Sequence, residues 1–164
     1  RPVATATLAV CDTGLAERQY GFSLGLGALF HHADMRRAGG LRALRGALDT
    51  VGATVVVDGQ VIATELTLAG ASTTQQFPMR LRAPAAPRAD QFCFLWNNLD
   101  GPGFLSHALA LARGRDLPQH RVGCAQRLSF DIAGTGYNLD GALFAVQGPR
   151  VVSVTRGPDV LVCT

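Results

Sequence analysis

The amino-acid sequence predicts an α+β domain that is mainly antiparallel β, with about eight or nine strands in a sandwich-like pair or a single sheet and two or three short helices. Short runs rich in Val, Thr, Phe and Leu recur along the chain, separated by Gly, Pro, Asn and Asp. These runs follow one another through tight turns instead of alternating with helices, which disfavours a doubly wound fold. One stretch departs from that pattern: Leu41, Leu44, Leu48 and Val51 recur at the spacing of a single helix face.

Ala4 to Val10 reads as the first strand, with β-branched Thr at alternate positions, and Asp12-Thr13-Gly14 supplies turn chemistry. Leu15 to Phe30 is ambiguous, because Gly21, Gly25 and Gly27 weaken a helix. Leu41 to Val51 is the clearest helix, with Gly52 in the place of its C-terminal cap. Ala53 to Asp58 and Gln60 to Leu68 form the clearest hairpin, since Asp58-Gly59 tolerates the positive φ of a two-residue turn. Phe77 to Arg82 is another strand candidate, with Met79 and Leu81 alternating against Arg80 and Arg82, one face apolar and the other guanidinium. Ala83 to Asp90 is a Pro/Ala loop. Gln91 to Trp96 is apolar at consecutive positions, the pattern of a strand covered on both faces.

Asn97 to Gly103 is a turn that leads into a helix from Phe104 to Arg113, with Pro102 suited to its first turn. Arg127 to Ala133 is a strand with Leu128, Phe130 and Ile132 on one face. Leu143 to Gln147, Val151 to Thr155 and Val160 to Cys163 complete the domain as three short strands separated at Gly148-Pro149 and Arg156 to Asp159.

Of the 164 residues, 48% are apolar and 16% charged, enough to bury a core within one domain spanning 1–164. No uninterrupted apolar run approaches the ~20 residues of a membrane-spanning helix. The chain opens at Arg1, which implies a domain processed or excised from a longer precursor. All 15 basic residues are Arg and none is Lys, the mark of a GC-rich genome, bacterial or of a DNA virus. A net charge of +3 falls short of a dedicated nucleic-acid binder.

Gly21-Phe22-Ser23-Leu24-Gly25 matches the G-x-S-x-G nucleophile elbow, where a serine sits on a sharp strand-to-helix turn. In that reading Asp58, Asp90 or Asp100 supplies the acid and His107 or His120 the base. The segment before Gly21 is polar and short, which argues against the full hydrolase fold.

Arg36, Arg37, Arg42, Arg45, Arg80 and Arg82 would form a polyanion-binding patch if their faces met. The aromatic residues that stack bases are missing around them. His31, His32 and Asp34 lack metal-ligand spacing, and no metal or cofactor is implied. The two Asn-Leu-Asp-Gly segments read as turns.

The cysteines are Cys11, Cys93, Cys124 and Cys163, with wide spacings and no C-x-x-C. They are disulfide candidates, and Cys11 with Cys163 is the pair to test first because both end apolar runs near the termini.

The function expected from these features is non-enzymatic: a binding or structural domain in protein–protein contact or self-association, such as an exported surface component or a virion-assembly component. A small serine esterase using Ser23 is the first alternative. Binding of RNA-like or heparin-like polyanions through the Arg faces is the second.

Overall fold

The computed structural model describes residues 2–27, 50–77, 81–107, 109–110, 113, 115, 117–133 and 135–163. Its strands are β1 (Pro2–Asp12), β2 (Gln19–Gly21), β3 (Ser23–Gly27), β4 (Val51–Val57), β5 (Gln60–Leu66), β6 (Leu68–Ser72) and β7 (Phe92–Asn97). After the helix α1 (Gly101–Ser106) come β8 (His120–Ala125), β9 (Arg127–Ile132), β10 (Gly136–Leu139), β11 (Ala142–Ala145) and β12 (Arg150–Cys163). They form two six-stranded sheets, in the orders β2-β1-β12-β9-β4-β5 and β11-β10-β3-β6-β7-β8. Neighbouring strands are antiparallel throughout.

The α+β expectation is therefore corrected: the described residues are nearly all β, with 12 strands and one named helix. Leu41, Leu44 and Leu48 of the expected long helix lie outside the described residues. Val51 and Gly52, read as its end and cap, belong instead to β4, where a run of Val and Thr favours extended backbone. The second helix is named only over Gly101–Ser106, where the Asp100 carboxylate caps the Gly103 N–H at 2.7 Å. Residues 78–80 of the strand expected over Phe77 to Arg82 lie outside the described residues; at its ends the Phe77 N–H donates to the Leu81 carbonyl at 3.0 Å and Gln76 bridges Arg82.

The last two expected strands are one. β12 runs through Arg156 to Asp159, and its register against β1 shifts between Ala6 and Leu8. Two residues, Gly157 and Pro158, there face one, Thr7, as in a bulge. Thr7 donates its hydroxyl to the Pro158 carbonyl at 2.7 Å, and a Cβ on Gly157 would lie 2.4 Å from that hydroxyl oxygen. Pro158 is tolerated because a bulge leaves a backbone position unpaired.

Three single residues carry the chain from one sheet to the other: Phe22 between β2 and β3, Thr67 between β5 and β6, and Gln126 between β8 and β9. Two of these corners are held by an aspartate from a hairpin of the opposite connection. Asp58 (φ 47°) and Gly59 (φ 84°) make the β4–β5 turn, and Asp58 Oδ1 accepts the N–H groups of Gln126 and Arg127 at 3.0 and 2.8 Å. Asp140 (φ 51°) and Gly141 (φ 88°) make the β10–β11 turn, and Asp140 accepts the N–H groups of Phe22 and Ser23, each at 2.8 Å. Positive φ at both turn positions matches the twist of the flanking strands.

The main core lies between the sheets. Leu8, Val10, Leu26, Val55, Phe92, Leu128, Phe130, Val152 and Val154 are buried there. A second apolar cluster lies on the outer face of the second sheet, where Cys93 and Leu95 of β7 and Val122 of β8 pack under Phe77, Leu81, Ala83 and Leu99. This explains the unbroken apolar run of β7, which is covered on both faces.

Candidate functional site

Among the described residues, nothing covers the outer face of the first sheet in this way. β1, β12 and β9 run side by side, and their register aligns Cys11, Ser153 and Ser129 in one row and Thr155 with Arg127 in the next. Side chains alternate along a strand. Leu128, Phe130, Val152 and Val154 therefore enter the core while Arg127, Ser129, Val151, Ser153 and Thr155 face outward. With Cys11 and Arg18 they line a depression of about 330 Å³.

Arg18 comes from the connection between β1 and β2, and its Nε donates to Cys11 Sγ at 3.2 Å. That contact holds the guanidinium above its ordinary, already high, pKa. The ion pairs among the described residues involve Arg150 and Arg156, so Arg18 and Arg127 carry unpaired charge there. Among the described residues, no carboxylate lines the depression. Two guanidinium groups beside three hydroxyls form a donor set suited to an oxyanion such as a phosphoryl group.

Next to this depression the sheets are joined by a buried ion pair. Asp12, the residue after Cys11, accepts from the Gly14 N–H at 2.8 Å, from the Tyr137 hydroxyl at 3.1 Å and from Arg150 Nη1 at 3.3 Å. Its side chain is fully buried. Tyr137 belongs to β10 of the second sheet, so Asp12 ties the two layers together. Burial first, and the neighbouring Asp12 charge second, push the Tyr137 hydroxyl well above the usual phenol range. A second buried polar joint closes the far end of the second sheet. There Asn97 Oδ1 accepts the Leu99 N–H at 2.7 Å, and Asn97 Nδ2 lies 3.3 Å from His120 Nδ1.

The structure does not assemble the hydrolase set. Ser23 opens β3, so a strand follows it directly, and Leu24, Gly25 and Leu26 pair within the sheet against β6. Its hydroxyl lies 3.1 Å from Asp140 Oδ1 and serves the β2–β3 corner. A Cβ on Gly21 would come within 2.7 Å of Asp140 Oδ2, so this glycine admits the carboxylate and forms no nucleophile turn. Ser23 shares a row with Ser72 and Cys93, whereas His120 pairs with Asn97, four residues further along β7 and three strands across from β3, so ~20 Å separate it from Ser23. Asp100 caps α1, and His107 Nδ1 lies 3.0 Å from the Gly103 carbonyl oxygen of the same helix.

Of the expected polyanion patch only Arg82 is described, exposed and in an isolated bridge with Gln76. Arg36, Arg37, Arg42, Arg45 and Arg80 lie outside the described residues, as do His31, His32 and Asp34. The Cys11–Cys163 bridge is excluded by register: Cys163 faces Pro2 and Cys11 faces Ser153, which separates them by ~30 Å along the strands. Cys93 and Cys124 do meet, with their sulfurs 3.9 Å apart.

Sequence reasoning missed Arg18, Ser129, Ser153 and Thr155; Arg127 stood out only as one of many arginines that could join a polyanion-binding patch and as the first residue of a strand. The signal was present in Arg127-Leu-Ser-Phe-Asp-Ile and Val151-Val-Ser-Val-Thr, where the polar half of each alternation is as regular as the apolar half.

The fold matches diacylglycerol kinase structures. A diacylglycerol kinase from Bacillus anthracis strain Sterne superposes with a TM-score of 0.55 at 10% identity, covering 93% of this chain and 52% of that one. Two further diacylglycerol kinase structures from the same strain give 0.56 at 12% identity, again over 93% of this chain and over 54% and 55% of theirs. The chain thus spans about half the length of these structures. No protein-family model and no curated protein sequence matches it. The expected non-enzymatic structural domain, exported or virion-borne, is corrected by this likeness, because the fold is one that kinases carry.

Proposed function

We propose that this chain is the β-sandwich part of a kinase that transfers phosphate to the hydroxyl of a diacylglycerol-type lipid. The observation that carries the reading is the superposition of nearly the whole chain on about half of each of three diacylglycerol kinase structures. In such a transfer the terminal phosphoryl of a nucleoside triphosphate moves to the lipid hydroxyl, the hydroxyl proton leaves, and the diphosphate departs. Most of the catalytic effect comes from positioning and from neutralising charge on the phosphoryl oxygens. The Arg18–Arg127 depression is equipped for the second task, with two cations, three hydroxyls and, among the described residues, no lining carboxylate.

The test uses the full protein that contains this chain, incubated with a labelled nucleoside triphosphate, a divalent cation and a short-chain diacylglycerol. The expected result is label that moves into the lipid-extractable phase only when the diacylglycerol is present. Transfer to no lipid hydroxyl, at any nucleotide offered, removes the proposal.

A further inference from the structure

Cys93 on β7 and Cys124 on β8 face each other directly in the antiparallel register. Their sulfurs are 3.9 Å apart, and each also lies 3.7 Å from the carbonyl oxygen of Ala85. Two thiols from neighbouring strands thus converge on one backbone acceptor, which belongs to the Pro/Ala loop at 83–90. That loop continues the segment whose Phe77, Leu81 and Ala83 cover the outer face of the second sheet. Cys93 is buried and Cys124 is part-exposed, so a reagent in solvent reaches the pair through Cys124.

We propose that Cys93 and Cys124 form a reversible disulfide whose closure withdraws both thiol donors from Ala85 and loosens the 83–90 loop. The proposal is independent of the phosphotransfer reading. The oxidant is a small-molecule disulfide of the glutathione class. The Cys124 thiolate attacks one sulfur of that disulfide and expels one thiolate, leaving a mixed disulfide on Cys124. Cys93 then passes its proton to the expelled thiolate and attacks the Cys124 sulfur, expelling the second thiolate, which takes up the proton that Cys124 had released to solvent. Two protein S–H bonds are exchanged for one S–S bond, and the oxidant takes up two electrons and two protons to become two thiols.

The movement required is small. A disulfide needs sulfurs at ~2.05 Å and Cβ atoms ~3.5–4.5 Å apart, against ~4.5–5.5 Å for directly opposed residues of an antiparallel pair. β8 ends the strand order of its sheet, next to β7, and an inward shift of that ~1 Å brings the two Cβ atoms within reach. Burial and the adjacent Cys124 push the Cys93 thiol up to about 12, which keeps it protonated until the mixed disulfide brings it an electrophile. Once the bridge forms, the Ala85 carbonyl has lost both S–H groups facing it.

The experiment equilibrates the purified chain with a glutathione disulfide and glutathione buffer, and in parallel with a dithiol reductant. Intact mass and peptide mapping should show the loss of two hydrogens and a linked peptide pair containing Cys93 and Cys124, reversed by the reductant. Amide exchange at Ala85, Ala86 and Arg88 to Gln91 should be several-fold faster in the oxidised sample. Cys124→Ser keeps a donor to Ala85 but cannot bridge, and its exchange should be the same in both buffers. Free thiols at both positions after oxidation, a bridge using Cys11 instead, or a Cys93–Cys124 bridge with unchanged exchange in the loop would each overturn the proposal.

Discussion

The two sheets share one core but differ on their outer faces. The first presents Arg127, Ser129, Ser153 and Thr155 to solvent, with no segment of the described chain laid over them. The second buries Cys93, Leu95 and Val122 beneath a loop that adds Phe77, Leu81 and Ala83 to an apolar cluster. The difference lies in the outward half of each strand alternation. Where that half is polar, it needs no cover and its donors stay available for a ligand. Where it is apolar, a loop must close over it, and that face serves stability.

The contrast can be broken at its strongest point by Phe77→Ala. Phe77 is 6% exposed, so its removal should destabilise the domain by about 3 kcal/mol, measured by denaturant unfolding. A change well under 1 kcal/mol would mean that the loop is not part of the folded body.

The next effect separates the two aspartate corner locks. Asp140 takes two backbone N–H groups and the Ser23 hydroxyl, Asp58 only two N–H groups. Asp140→Ala should cost about 2 kcal/mol and Asp58→Ala about 1 kcal/mol, on the scale of bonds to charged acceptors reduced by exposure. Equal costs would show that the Ser23 contact adds nothing.

A pH dependence sharpens the account of the covered face. Because the Cys93 thiol is pushed up in the fold, the folded state holds its proton more tightly than the unfolded chain. Its contribution is present in full below the ordinary thiol range and is lost as pH rises from ~9 toward about 12. In reductant, unfolding free energy should decline less steeply across that window in Cys93→Ala than in the parent chain. Parallel curves would contradict the burial assigned to Cys93.

The smallest effect on stability is expected on the open face. Arg127→Ala should leave unfolding within ~0.5 kcal/mol of the parent. In the full protein the same change should lower lipid phosphorylation ~10-fold, the loss expected for one charge-assisted contact to a phosphoryl group. A large loss of stability with unchanged transfer would reverse the roles given to the two faces.

The legible and illegible parts of the fold divide along physical lines. The β4–β5 hairpin could be read because Asp58-Gly59 is a turn that side-chain chemistry announces. The corners at Phe22, Thr67 and Gln126 could not, since a one-residue passage between sheets uses neither Gly nor Pro and leaves the strand pattern unbroken. This is why Gln60 to Leu68 reads as one strand when Thr67 divides it between two sheets. Arg156 to Asp159 misled in the opposite sense: Gly and Pro mark a turn in most contexts, but here a bulge holds both inside β12. At the site, Ser23 stood out because glycines flank it, yet Gly21 makes room for Asp140 and Gly25 pairs within β3 against Gly70. The outward Arg and Ser of β9 were hidden because partnership across strands depends on register, and register is set by pairings far apart in sequence.

The central claim is that this β-sandwich is part of a lipid kinase. The most direct measurement is transfer of labelled phosphate from a nucleoside triphosphate to a short-chain diacylglycerol by the full protein, with the Arg127→Ala protein assayed beside it. The account predicts lipid-dependent transfer that falls ~10-fold in the variant. Absence of transfer by a folded full protein, or transfer with no dependence on the diacylglycerol, would contradict it.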